Sequence, residues 1–183
     1  MSYSKNSVQA RIKNLSAKTG VNANVLLATY FFEAFLYRLS KSDYAENFIF
    51  KGGFYLSSVI GVQNRYTQDL DFKLAGENLE EDNLVKIIND IISKNADDNI
   101  SFDFSSIESI RGEDQYGGFS VSIIGHLENI RQTVNIDIAT GDPITPAAIT
   151  YSYKRLIAED KNCRQFTAED FLIAEARIFM MSI

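Results

Sequence analysis

The residues best suited to chemistry lie between Phe48 and Leu74, in FIFKGGFYLSSVIGVQNRYTQDLDFKL. Asp69 and Asp71 stand two apart, alternating with the apolar Leu70 and Phe72. Along a strand, side chains at i and i+2 share a face, so the two carboxylates project together while Leu70 and Phe72 face a core. Adjacent carboxylates repel, and one takes up a proton unless a cation lies between them. A hard divalent ion such as Mg²⁺ prefers oxygen ligands and keeps waters that a phosphate can replace, which makes it the natural partner. Upstream, the Gly52-Gly53 turn lacks Cβ atoms, so its backbone can approach a phosphate, and the N–H groups opening the next helix favour an anion. Each feature alone has a plain alternative, a solvated strand face for D-x-D and an ordinary turn for Gly-Gly. Together they point to a metal and phosphate site.

Several elements must hold this site. Phe48, Ile49 and Phe50 read as a short buried strand, followed by the turn at Lys51-Gly52-Gly53 and a two-turn helix from about Phe54 to Ile60, closed by Gly61. A return loop leads to the strand carrying the aspartates. Upstream, Ser7 to Lys18 reads as an amphipathic helix ended by Gly20. A stronger helix begins near Asn24 and places Leu26, Tyr30, Phe31, Ala34, Phe35 and Leu39 near one face. This helix pair is expected to cover one side of a sheet. Downstream, Leu79 to Ser93 has Leu84, Ile87, Ile88, Ile91 and Ile92 at helical spacing and Glu80, Glu81 and Asp82 in the first turn, where the helix dipole favours acids.

Three alternating segments follow, ISFDFSSIESI, FSVSIIGHL and RQTVNIDIAT, which read as strands of a partly antiparallel sheet. In the last, Val134, Ile136 and Ile138 share one face, leaving Asn135 and Asp137 on the other. Asp137 joins Asp69 and Asp71 if the strands are neighbours, and three acids on adjacent strands can hold two metal ions and supply a base. Gly141-Asp142-Pro143 ends that strand, and ITYSYKRLI reads as a last short one. Thr167 is the expected N-cap of a closing helix, with Asp170 three residues on. That helix stays apolar to Ile183, so the chain reads as cut short.

Composition narrows the function classes. A chain of 183 residues with 45% hydrophobic and 23% charged content suits one globular domain. The net charge of −6 and pI near 4.8 argue against a general nucleic-acid binder and favour a small anionic ligand carried in with a metal. Lys51, Arg65, Lys73, Arg111 and Arg131 are the candidates for a local basic groove. Cys163 is the single cysteine, which excludes an intramolecular disulfide and a Cys-based zinc site. His126 is the single histidine, far in sequence from Cys163 and read as a loop residue in the polar turn GHLEN, which argues against a His-dependent triad. No apolar run reaches about 18 residues and the N-terminus lacks a signal-like segment, so a cytoplasmic protein without a membrane partner is expected.

Taken in order, these residues resemble the AbiEii/AbiGii-type nucleotidyltransferase toxins of bacterial abortive-infection and type IV toxin–antitoxin systems. The matching pieces are FIFKGG (Phe48 to Gly53), NRYTQDLDF (Asn64 to Phe72), YGG (Tyr116 to Gly118), Arg131 with VNIDIATGDPITP (Val134 to Pro146), and EDFLIAEA (Glu169 to Ala176). The resemblance implies an α+β, polymerase-β-like nucleotidyltransferase fold with a mixed sheet and packed helices. It organises the chain as one domain, with N-terminal helices in 1–45, a sheet core in 46–150 and the start of a helical C-terminal region in 151–183. Carried over by residue, Gly52 and Gly53 would take the triphosphate of an NTP, and Asp69, Asp71 and Asp137 would hold Mg²⁺ or Mn²⁺. Lys51, Arg65 and Thr67 match nucleotide-binding positions around the site, where a cation neutralises developing charge. The resemblance further implies an acceptor hydroxyl on tRNA or protein and a cognate antitoxin. The family's helix lysine is replaced by Ala176, and the chain ends where the family continues into a helical region with a further basic-acidic motif.

The leading expectation is therefore a Mg²⁺-dependent nucleotidyltransferase toxin, with Asp137 as the base because the D-x-D pair already ligates metal. A catalytically degenerate member that only binds nucleotide or an antitoxin is the second reading. A metal-dependent phosphohydrolase using the same acids on water is the third.

Overall fold

A computed structural model describes residues 4–61, 67–76, 80–110, 117–139, 149–153 and 155–157, together with the backbone of 164–168. Helices α1 (Lys5–Thr19) and α2 (Ala23–Leu39) come first, followed by β1 (Phe48–Lys51), α3 (Gly52–Ile60), β2 (Asp69–Leu74) and α4 (Glu81–Ile92). Strands β3 (Ser101–Ile110), β4 (Gly118–Leu127), β5 (Ile130–Ala139), β6 (Ile149–Tyr153) and β7 (Arg164–Ala168) follow. All seven strands form one mixed sheet in the order β3-β4-β5-β2-β1-β7-β6.

Alternation along the central strands divides the sheet into two unlike faces. Phe48 and Phe50 of β1, Leu70, Phe72 and Leu74 of β2, Val121, Ile123 and Leu127 of β4, and Val134, Ile136 and Ile138 of β5 are buried on one face. Phe50 and Phe72 stack with ring centroids 5.5 Å apart, and Phe48 meets Phe72 edge-on at the same separation. The opposite face carries the polar members of the same strands. Because strand side chains repeat every two residues, a slip of one residue in β2 would move every apolar side chain to the wrong face.

Helix α2 lies at the centre of the buried side and packs on β5, α1 and α4. The expected stripe from Leu26 to Leu39 is buried, and so are Phe32, Leu36, Glu33 and Arg38. A helix enclosed this completely must bury residues from its polar face too, and the two charged ones are each compensated. Arg38 donates a fork of hydrogen bonds to Asp98, at 2.9 and 2.8 Å, and another to the Ile100 carbonyl at 2.6 Å, with its guanidinium 5.0 Å from the Phe102 ring. Glu33 accepts hydrogen bonds from the Tyr153 hydroxyl at 2.9 Å and from the Leu156 and Ile157 amides. Burial pushes the Glu33 carboxyl above the usual glutamate range despite these donors. Close approach of α2 to the sheet also explains Gly125, where a Cβ would stand 2.3 Å from the Phe31 ring.

Helix α1 ends as expected at Gly20, with φ +76 and its N–H bonded to the Ser16 carbonyl, but it starts at Lys5 with Ser4 as N-cap, two residues before the expected Ser7. Elsewhere too the structure corrects the expectation. Helix α3 starts at Gly52, two residues earlier than the apolar pattern indicates, because the two glycines themselves form its first turn. His126 lies in β4 opposite Arg131, not in a loop, since the strand continues through Leu127 and the hairpin turn is Glu128-Asn129. Thr167 pairs with Thr150 inside β7 and does not cap a helix. ITYSY forms the short strand expected of it, and RQFTA, where Thr167 is expected to open a helix, pairs with it as a further strand. Residues 140–148, Cys163 and the expected helix beyond Ala168 lie outside the described residues.

The Arg38–Asp98 fork makes the first prediction. Asp98→Ala leaves a buried guanidinium without its partner and should cost about 3–5 kcal/mol of stability, measured by urea unfolding. A loss below about 1 kcal/mol would mean that the fork contributes no more than a surface pair.

Candidate active site

Register brings the three carboxylates together. β2 runs parallel to β5 with Asp69 opposite Asn135 and Asp71 opposite Asp137, and antiparallel to β1 with Asp71 opposite Lys51. On the far side of β5, Ser120 faces Asp137 and Ser122 faces Asn135. Paired residues on adjacent strands share a face, so Lys51, Asp69, Asp71, Lys73, Asn135, Asp137, Ser120 and Ser122 all stand on the polar face. Leu70, Phe72, Ile136 and Ile138 anchor the same strands from below.

One oxygen of each carboxylate is held by a neighbour. Thr67 donates its hydroxyl proton to Asp69 Oδ1 at 2.6 Å, Ser120 donates to Asp137 Oδ1 at 2.6 Å, and the Gly53 amide donates to Asp71 Oδ2 at 3.2 Å. This fixes the orientation of each group while leaving its second oxygen for a ligand. Asp71 feels the crowding most. Burial, then the negative charge of Asp69, raises its pKa above the usual aspartate range, with Asp137 adding to the shift and Lys51 and the Gly53 amide opposing it.

An all-oxygen donor set from three mutually repelling acids fits a hard divalent ion such as Mg²⁺ or Mn²⁺. Among the described residues, no three such side chains converge closely enough to hold a metal as they stand. In each of the three carboxylates, the oxygen not held by Thr67, Ser120 or Gly53 is the one available to an ion.

Gly52 is the tightest point of the site. Its φ is +70, and a Cβ there would lie 2.0 Å from Asp71 Oδ2. Only glycine allows the chain to turn from β1 into α3 this close to the carboxylate. In this arrangement the Gly53 N–H, expected to meet phosphate, is turned to Asp71. Helix α3 is fixed by three ring contacts, with Phe54 edge-on to Phe32 and stacked on Tyr153, and Tyr55 edge-on to Tyr151.

Of the sequence candidates, Lys51, Gly52, Gly53, Thr67, Asp69, Asp71 and Asp137 come together. Arg65 and Arg111 lie outside the described residues. Lys51 and Lys73 flank the acids, whereas Arg131 stands four residues before Asn135 on β5, so the described part of the expected basic groove is not continuous. Ser120 and Ser122 were not singled out from the sequence. Their alternation in FSVSII puts them on a polar face, but only the β4–β5 register shows that they meet Asp137 and Asn135.

A glycine turn opening a helix beside a two-aspartate strand, with a third aspartate on the next strand, is the arrangement of a nucleotidyltransferase fold. A candidate nucleotidyltransferase from H. pylori has this fold, matching with a TM-score of 0.50 at 17% identity over 86% of this chain and 58% of that one. JHP933 from Helicobacter pylori matches with a TM-score of 0.48 at 16% identity, over 86% of this chain and 56% of that one. The chain thus spans less than two thirds of the solved structures it matches. No curated protein matches it. Residues 34–176 match the model of the AbiEii nucleotidyl transferase toxin of type IV toxin–antitoxin systems, and the chain belongs to this family.

Asp71 carries a signed prediction for the metal-free protein. A carboxyl whose folded pKa is raised stabilises the fold below the ordinary aspartate range and loses that contribution as pH rises through its folded value. Asp71→Asn removes this loss, so the variant should melt higher than the parent at neutral pH, with the advantage fading as pH falls through the raised folded value and gone below the ordinary aspartate range. Thermal melts across pH in EDTA test this, and an advantage that grows on acidification would show the shift to have the opposite sign.

Proposed function

We propose that this protein is a Mg²⁺-dependent nucleotidyltransferase toxin that binds an NTP and transfers its nucleotidyl group to a hydroxyl of RNA or protein, the acceptor oxygen bonding to the α-phosphorus as pyrophosphate leaves. The observation that carries the reading is the shared polar face on which Asp69, Asp71 and Asp137 stand beside the Gly52-Gly53 opening of α3. Membership of the family supports it. Asp69 and Asp71 would hold the metal, with Asp137 as third ligand and as the base that orients the acceptor hydroxyl. When bound, the metal would neutralise the triphosphate and align it for in-line displacement. On arrival of the triphosphate, the Gly53 N–H would exchange Asp71 for a phosphate oxygen. Lys51 would add a cation beside that position, and Thr67 would keep Asp69 oriented. Ser120 would hold one Asp137 oxygen, leaving the other to the hydroxyl proton. A cognate antitoxin is the proposed protein partner, and the cytoplasm, where NTPs are available, the proposed place of action. Among the described residues, no helix is long and apolar enough to cross a membrane.

Calorimetric titration with each of the four NTPs, in Mg²⁺ and then in EDTA, tests the proposal. One NTP should bind saturably with Mg²⁺ and not with EDTA. The double substitution Asp69→Asn with Asp71→Asn should abolish that binding in a protein still folded by circular dichroism. Gly52→Ala should weaken it at least about tenfold, because the new methyl displaces Asp71 and strains a left-handed backbone. NTP binding that survives the double substitution would sink the metal assignment.

A further inference from the structure

Phe32 and Glu33 of α2 and Tyr153 at the end of β6 belong to the core and take no part in the chemistry proposed above, yet all of them bear on the Gly52-Gly53 turn. Phe54 follows that turn directly and is buried. Its ring is edge-on to Phe32, with centroids 5.2 Å apart, and stacked on Tyr153 at 6.0 Å. The Tyr153 hydroxyl donates to Glu33 Oε1 at 2.9 Å. At the other end of this series the Gly53 amide donates to Asp71 Oδ2 at 3.2 Å. Contacts therefore run without a break from Glu33 through Tyr153, Phe54 and Gly53 to a carboxylate of the site. The last step has little slack, because a Cβ on Gly52 would already overlap Asp71 Oδ2.

Glu33 is the costly member of the series. Its side chain is enclosed in the core, where a carboxyl is tolerated only if its lone pairs are used. All the donors that reach it come from one corner of the chain: the Tyr153 hydroxyl and the Leu156 and Ile157 amides, with Arg155 Nε 3.9 Å away. An apolar side chain could fill the same space on α2, but it could not hold the Tyr153 hydroxyl or gather two amides. The ring stacked on Phe54 would then lose its fixed place. Arg38, the other buried charge of α2, makes a useful contrast. Its fork goes to Asp98 and the Ile100 carbonyl, which precede β3 and lie outside this series.

We propose that Glu33 is a positioning residue for the site: through the Tyr153 hydroxyl and the Tyr153–Phe54 stack it sets how close the Gly52-Gly53 opening of α3 stands to Asp71. What the turn binds rests on the nucleotidyltransferase reading above, whereas the coupling itself belongs to the metal-free protein.

NMR of the full chain in EDTA, following the backbone amides of Gly52 and Gly53, tests the coupling. Tyr153→Phe keeps the ring and removes its hydrogen bond to Glu33. Glu33→Gln keeps an acceptor for that hydroxyl but turns an NH₂ toward donors on the other oxygen. Each substitution should shift both glycine resonances in a folded protein, and Tyr153→Phe alone decides if Glu33→Gln does not fold. Asp98→Asn weakens the fork at the far end of α2, so it should lower stability and leave the glycine resonances where they are. Unmoved glycines in Tyr153→Phe, or equal movement in Asp98→Asn, would overturn the proposal, since a merely structural role lowers stability without singling out the turn. For an NTP that binds the parent with Mg²⁺, Tyr153→Phe should weaken binding at least about fivefold, the lower end of coupling between separated sites. Unchanged affinity would overturn the proposal as well. If no NTP binds the parent while the glycines still respond to Tyr153→Phe, the nucleotidyltransferase reading fails and the coupling stands.

Discussion

Three carboxylates held side by side on neighbouring strands repel one another, and the structure depends on keeping them there. The restraint comes from the other face of the same strands. Leu70 and Phe72 of β2 and Ile136 and Ile138 of β5 are fully buried, and none can leave the core without exposing a large apolar side chain to water. Because alternation is strict, burying these residues obliges Asp69, Asp71 and Asp137 to stand on the polar face in register. The raised pKa of Asp71 reflects its burial first and the charges of Asp69 and Asp137 second. A strained polar cluster above a well-packed core is what a binding site for a multivalent cation requires.

The position of the Gly52-Gly53 turn depends on a second set of contacts. Helix α3 is short and mostly apolar, so its placement comes from packing. Phe32 on α2 meets Phe54 from one side, while Tyr151 and Tyr153 of β6 meet Tyr55 and Phe54 from the other. The Tyr151 hydroxyl also lies 2.9 Å from the Ser58 hydroxyl. Tyr153 is in turn held by Glu33, whose buried carboxylate collects the amides of Leu156 and Ile157. A charged residue in the centre of the molecule thereby ties the sixth strand to the helix that opens at the site. Truncating Glu33 would remove several hydrogen bonds at once, which explains why so costly a group is kept in the core.

Much of this was legible without coordinates, for reasons that differ by element. The D-x-D alternation in β2 and the N-I-D-I alternation in β5 each assign faces by period alone, so the aspartates could be placed on polar faces from the sequence. Gly20 and the acids opening α4 are local signals that depend on a few neighbours, and both hold. The start of α3 at Gly52 was less visible, because two glycines weaken every helix signal. The strand at Thr167 was missed because Thr followed by acids reads as a cap when the partner strand is unknown.

What the sequence determined by itself is the inventory: which residues are paired on a face, where glycine permits a turn, and which segments must be buried. Those properties follow from local covalent geometry and the period of each element. Only the tertiary structure decided that β2 lies between β1 and β5, that Asp71 falls opposite both Lys51 and Asp137, and that Ser120 reaches Asp137. It also decided that Glu33 and Arg38, ordinary charges in a helical sequence, are enclosed and must find partners far along the chain. Strand order and register arise from contacts between residues distant in sequence, and no local pattern encodes which distant partner wins.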